Sequence, residues 1–234
     1  MSHQTSPKAL EDSMSDGTRL PLNTILHLGL DKTDPEVPGS TPRVIAYLSS
    51  VLELSIQRNE RSLEASRRKK DGVTVFHSSR PPGLSIRQYL ERIFKYAPCS
   101  PSCFVAAQIY IDRFTARTRS RLTSLNIHRL LITSVMVAAK FMDDVFCRSH
   151  NNAHYAKVGG ISMEEMNELE MNFLFSIDFR LHVPVDVFVK YSKQLEKEAY
   201  SATRWIKACK VGDSRPDKQV KSGPAIAGLG CRAI

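Results

Sequence analysis

The sequence predicts an all-α protein, a core of five or six helices around a central apolar helix. Three observations carry this. Apolar residues recur at helical spacing in several separate stretches, and no stretch of any length alternates with the two-residue period of a strand. Residues 124–143 are apolar nearly all round, the mark of a central helix in a bundle.

The elements follow in order. Residues 1–40 are rich in Ser, Thr, Pro, Gly and acidic side chains without a sustained period, and are expected to be a disordered leader. From Pro42 the pattern changes. Val44, Ile45, Leu48, Val51, Leu52, Leu54 and Ile56 share one face, and proline suits the first turn of that helix. "VTVFHSSRPPG" is a connector, because Pro81, Pro82 and Gly83 break helices. Ser85 is an expected N-cap for a helix that buries Ile86, Tyr89, Leu90, Ile93 and Phe94. Ser100-Pro101 reads as a cap followed by a first-turn proline, opening a helix with Phe104, Ala107, Ile111 and Phe114 inward.

The arginine-rich loop "TARTRSR" then leads into the central helix at 124–143. "VFCRSHNNAHYAKVGG" is read as an irregular link closed by two glycines. Ser162 with Glu165 forms a capping-box pattern ahead of a helix running to Ile177. A last amphipathic helix is predicted over 185–199. The remaining residues, 200–234, are basic and glycine-containing and are expected to be disordered. The domain organisation is therefore a leader at 1–40, a folded unit at 41–199 and a tail.

Composition narrows the function classes. The 234 residues carry a formal net charge of +9. The excess is concentrated in the tail, in "RRKK" at 67–70 and in Arg113, Arg117, Arg119 and Arg121, which favours acidic partners of any kind. Five cysteines, scattered and odd in number, point to reduced thiols inside a cell. No segment approaches the ~20 apolar residues of a membrane span. "RRKK" reads equally as a nuclear import signal or a basic surface turn, so both nucleus and cytoplasm stay open.

Two charges stand where apolar residues are expected. Lys140 lies in the run "VMVAAKFMDD", and Glu170 falls within about 40° of the apolar face formed by Met166, Leu169, Phe173, Leu174 and Ile177. A buried unpaired charge costs several kcal/mol, so each needs a partner. They can pair with each other internally, or Lys140 can reach water at the helix end. Alternatively they emerge side by side in an apolar ring, offering donors and acceptors to another protein.

The strings "YIDRF" at 110–114, "AAKFMDD" at 138–144 and "ELEMNFLFSIDFRL" at 168–181 resemble the cyclin box. Longer stretches, including "YLERIFKYAPCSPSCF", "NIHRLLITSVMVAAKF" and "YAKVGGISMEEMN", resemble the plant U-type or P-type cyclins, which are similar to fungal phosphate-pathway cyclins. The resemblance covers about residues 41–199 and implies a single cyclin-box repeat, a five-helix bundle around the central apolar helix with an extra N-terminal helix. It implies a regulatory subunit without catalysis or cofactor, which binds and activates a cyclin-dependent kinase, an A-type one, in cell-division or nutrient signalling. Lys140 and Glu170 match the family's two kinase-gripping positions, with Phe141 and Phe173 as apolar neighbours at that interface. Asp112 of "YIDRF" is expected to be a fold residue paired with an arginine of a neighbouring helix. Three features depart from the family. "SIRQYLERI" lacks the M-R-A-I-L substrate-docking patch of two-repeat cyclins, only one repeat is expected, and the link before Tyr155 is longer.

Two other classes compete. Cys147, His150 and His154 have a C-x2-H-x3-H spacing, but no fourth ligand lies nearby, so no metal is expected. Helical transcription factors share this kind of fold, and "RTRSR" with the basic tail could meet phosphates. No recognition-helix pattern is present, so nucleic acid is not the expected partner.

Overall fold

A computed structural model describes residues 28–30, 41–65, 73–97, 99–143 and 151–211, with side chains through Ser201. Among these residues there are seven helices and no strand. They are α1 (Arg43–Ala65), α2 (Ile86–Tyr96), α3 (Ser102–Thr118), α4 (Ile127–Met142), α5 (Asn152–Gly159), α6 (Met163–Ser176) and α7 (Val185–Val211).

The centre is a pair of helices rather than one. On α4, Leu130 through Ala139 are all buried, as its composition predicts. Cys103 through Ile111 of α3 are buried too, because α3 lies against α4 on one side and α1 and α7 on another. α2, α5 and α6 complete the wrap around α4, while α1 and α7 pack on each other and on α3. Phe76, from the connector before α2, packs edge-on against both Phe114 and Phe173, with ring centroids 5.0 and 6.1 Å away. Edge-to-face aromatic packing of this kind adds to the burial energy of each ring.

Local chemistry sets the helix ends. Ser85 and Gln88 form a reciprocal capping box that opens α2. Ser100 does not cap α3: its hydroxyl and its backbone N–H both donate to Asp143, at 2.7 and 2.6 Å, so Pro101 takes the cap position. The bond joins the start of α3 to the end of α4. Cys103 beside it is a buried thiol pushed up to about 12, chiefly by burial, so it stays protonated at neutral pH. The Ser162 hydroxyl accepts from the Glu165 N–H at 3.1 Å, but the Glu165 carboxylate does not reach back. It accepts from Arg129 Nε at 2.6 Å and ties α6 to α4.

Three sequence expectations change. The link before Gly159 contains a helix, α5, whose start is capped by the Asn151 side chain and whose end is closed by Gly160 at φ 74°. An eight-residue helix is too short to show a convincing period by itself. α7 does not stop at Ala199 but continues to Val211, since no breaker precedes Gly212. Leu28 and Leu30, assigned to the disordered leader, are buried against the core, with Gly29 between them at φ 63°. The rest of the leader, "RRKK" and residues 212–234 lie outside the described residues. No described helix is long and apolar enough to cross a membrane.

Candidate protein-binding site

The two anomalous charges meet. Lys140 occupies the last turn of α4, immediately after the fully buried Ala139, so the helix leaves the core at this residue. A cation here is also favoured by the carbonyl end of the helix dipole. Glu170 lies midway along α6, between buried Leu169 and Phe173. Lys140 Nζ stands 2.5 Å from Glu170 Oε1, and the two side chains are 29% and 15% exposed. They are thus neither sealed in the core nor fully solvated: the charges pair with each other at the protein's surface.

The pair belongs to a larger network. Lys140 Nζ also donates to Asn152 Oδ1 at 2.5 Å. Asn152 Nδ2 in turn donates to Glu170 Oε2 at 2.6 Å and to Asn167 Oδ1 at 2.7 Å. Three helices, α4, α5 and α6, therefore converge on one polar cluster.

Apolar side chains sit open next to it in sequence and along α6. Phe141 and Met142 follow Lys140 at the end of α4, and both are exposed. Met171 and Phe175, one turn apart on α6, are also exposed. The Phe175 ring meets Phe179 edge-on at 5.2 Å, and Phe179 is exposed as well.

The turn that carries Phe179 is strained and externally held. Asp178 and Phe179 both adopt left-handed backbone, at φ 58° and 52°. For non-glycine residues that costs on the order of 1 kcal/mol each. Helix-terminal bonds, Asp178 N to Phe175 O and Phe179 N to Leu174 O, offset part of it. Arg113 donates to the carbonyls of Arg180 and His182, and Arg117 Nε donates to the Ser176 carbonyl at 3.0 Å. Arg117 and Arg180 both also approach the Asp178 carboxylate. Two of the arginines read as a basic patch are therefore engaged with the protein's own backbone. Arg121 likewise reaches Ser62 Oγ, at 3.2 Å.

The structure relocates two of the sequence-predicted residues. Phe173 is fully buried and stacks on Phe114, so it supports the surface from beneath and presents nothing to a partner. Asp112 meets no arginine among the described residues. Its carboxylate accepts from Gln108 Nε2 at 2.9 Å and from the Tyr191 hydroxyl, and burial pushes it up to about 7, with Glu198 adding to the rise. Cys147 and His150 lie outside the described residues, and the His154 ring bonds the Tyr96 carbonyl at 2.8 Å. Among the described residues no cluster of His, Cys, Asp or Glu has the makings of a metal site.

Asn152, Asn167, Met171 and Phe175 were not singled out by sequence reasoning. Asparagine amides carry no periodic signal. The Met171–Phe175 pair did carry one, as two apolar residues four apart and off the buried stripe of the helix.

Helices α2 to α6 make a single five-helix repeat, flanked by α1 and α7, with a charged pair at the junction of α4 and α6. The family model described as Cyclin matches residues 42–181, and the chain belongs to the cyclin family. It is similar to Cyclin-P3-1 of Oryza sativa subsp. japonica, at 55% identity over 157 residues, covering 67% of this chain and 65% of that protein. It is also similar to two Arabidopsis thaliana proteins: Cyclin-U4-1, at 52% identity over 70% of this chain and 79% of that one, and Cyclin-U3-1, at 52% over 67% and 69%. These matches support a regulatory role of the cyclin kind. The chain spans just under two thirds of the rice relative's length.

Proposed function

We propose that this cyclin is a non-catalytic regulatory subunit that binds and activates a cyclin-dependent kinase, of the A type, and that the Lys140–Glu170 pair is its grip. The observation that carries the reading is the position of that pair. An ammonium and a carboxylate sit 2.5 Å apart, half-open, and exposed Phe141 and Met171 follow them directly in the chain. A charged anchor can satisfy a partner's backbone N–H and C=O groups while exposed apolar side chains on the same helices exclude water. Each aromatic ring so covered contributes roughly 1.5–3 kcal/mol of burial.

In this reading the bound cyclin holds the kinase's αC helix inward, so that its glutamate pairs with the lysine that orients ATP phosphates. Moving a kinase from about 1:99 active to 99:1 requires roughly 5.5 kcal/mol of preferential binding to the active form. The charged pair and two or three buried rings are of that magnitude. Cell-division or nutrient-signalling targets fit such a subunit, acting in the nucleus or cytoplasm. The arginines of the basic patch favour this reading over nucleic-acid binding, because Arg113 and Arg117 are committed to carbonyls of the turn beneath Phe179.

The test is retention of a plant A-type cyclin-dependent kinase on immobilised protein. Lys140→Ala and Glu170→Ala are each expected to lose most of the retained kinase with far-UV helicity unchanged. Wild-type retention by both folded variants refutes the assignment.

A further inference from the structure

The Lys140–Glu170 pair is made of two flexible side chains at the edge of solvent, and such pairs ordinarily sample many geometries. Here a third residue removes that freedom. The Asn152 amide presents its carbonyl to the ammonium and its N–H groups to the Glu170 carboxylate and the Asn167 carbonyl. Only one orientation of the amide is possible. Lysine can only donate and a carboxylate can only accept, so the flipped amide would face each charge with the wrong group.

The Asn152 side chain is not needed to start its own helix. That task falls to Asn151, whose side chain accepts from the His154 N–H. Each hydrogen bond of the Asn152 side chain given above runs to the charged pair or to Asn167, which lies one turn before Glu170 on α6.

We propose that Asn152 is a positioning residue for partner binding: its amide holds the Lys140 ammonium and the Glu170 carboxylate in one fixed outward arrangement. The proposal rests on the reading of that pair as the kinase grip. A preorganised pair loses less freedom when a partner docks, so removing the amide weakens binding without removing either charge.

Binding to an immobilised plant A-type cyclin-dependent kinase tests this with four variants, alongside thermal melting. Asn152→Asp keeps the shape and the acceptor for Lys140 but has no N–H for Glu170. An acidic residue in the first turn of α5 is also favourable to that helix. Both Asn152→Ala and Asn152→Asp are expected to weaken kinase affinity by ~10-fold, the value of one or two charge-assisted hydrogen bonds, with little change in melting temperature. Wild-type affinity of Asn152→Asp overturns the proposal. So does an Asn152→Ala loss that follows a lowered melting temperature and is absent in Asn152→Asp, since that pattern marks a purely structural residue. Lys140→Ala and Glu170→Ala serve as the reference. If they lose affinity while the Asn152 variants keep it, the positioning role alone fails. If all four bind normally, the grip itself is wrong and the proposal falls with it.

Discussion

Phe173 of α6 stacks on Phe114 of α3, with ring centroids 5.7 Å apart and planes 11° from parallel. The contact ties the helix bearing Glu170 to the two-helix centre, so the position of the surface pair depends on a ring that no partner can touch. Phe173→Ala is expected to destabilise the fold by about 3–5 kcal/mol, the usual effect of emptying a buried phenylalanine site. Phe173→Leu is expected to lose much less. Urea denaturation checks both. If Phe173→Ala unfolds no earlier than wild type, the aromatic stack is not holding α6.

Lys140 and Glu170 should behave in the opposite way. Both side chains keep some exposure, and Asn152 can still bond whichever charge remains. Each alanine variant is expected to cost no more than ~1 kcal/mol of folding stability, because half-open pairs contribute little. A loss of 3 kcal/mol or more, on the order expected for breaking a sealed ion pair, contradicts this picture.

Asp112 should make stability depend on pH. Its carboxyl is pushed up to about 7 in the folded protein, mainly by burial and further by Glu198, while Tyr191 and Gln108 partly oppose the rise. The unfolded carboxyl titrates near 4. Between these values the folded chain binds more proton than the unfolded one, so this group's contribution falls as pH rises from about 4 to 7 and is flat above. Asp112→Asn lacks that titration. The stability of Asp112→Asn relative to wild type is therefore expected to grow from pH 5 to pH 7 and level off by pH 8, as read from urea midpoints. A difference independent of pH refutes the assignment.

Arg117 should govern the turn more than the fold. It donates to the Ser176 carbonyl and lies 3.5 Å from the Asp178 carboxylate, steadying two left-handed residues. Arg117→Ala is expected to cost only about 1 kcal/mol overall, given its exposure. Amide exchange at residues 177–181 should nevertheless quicken while that of α4 stays unchanged. Equal protection of the turn in both proteins means that the helix-terminal bonds suffice without the arginine.

Much of this was legible in the chain itself. Periodicity located six of the seven helices, because each buries a face wide enough to repeat over several turns. Ser85 was readable as a cap for the same reason, since orphan N–H groups at a helix start call for a hydroxyl acceptor. Lys140 and Glu170 stood out because a charge on an apolar face demands a partner. The α5 helix was missed, since two turns bury too few residues for a period, and α7 was ended at Ala199 although the helix runs on to Val211.

The sequence alone settled that the chain is helical, that α4 is buried and that two charges required explanation; each follows from the local cost of placing a side chain in water or in the core. Only the tertiary structure decided what surrounds them. Asn152 is twelve residues from Lys140 and eighteen from Glu170, yet its amide joins both. Asp112 was expected to meet an arginine but finds Gln108 and Tyr191, and Phe173 turned inward rather than out. Periodicity states which face of a helix is apolar. Which neighbour covers that face depends on how three helices pack, and packing is a property of the assembled bundle rather than of any stretch of chain.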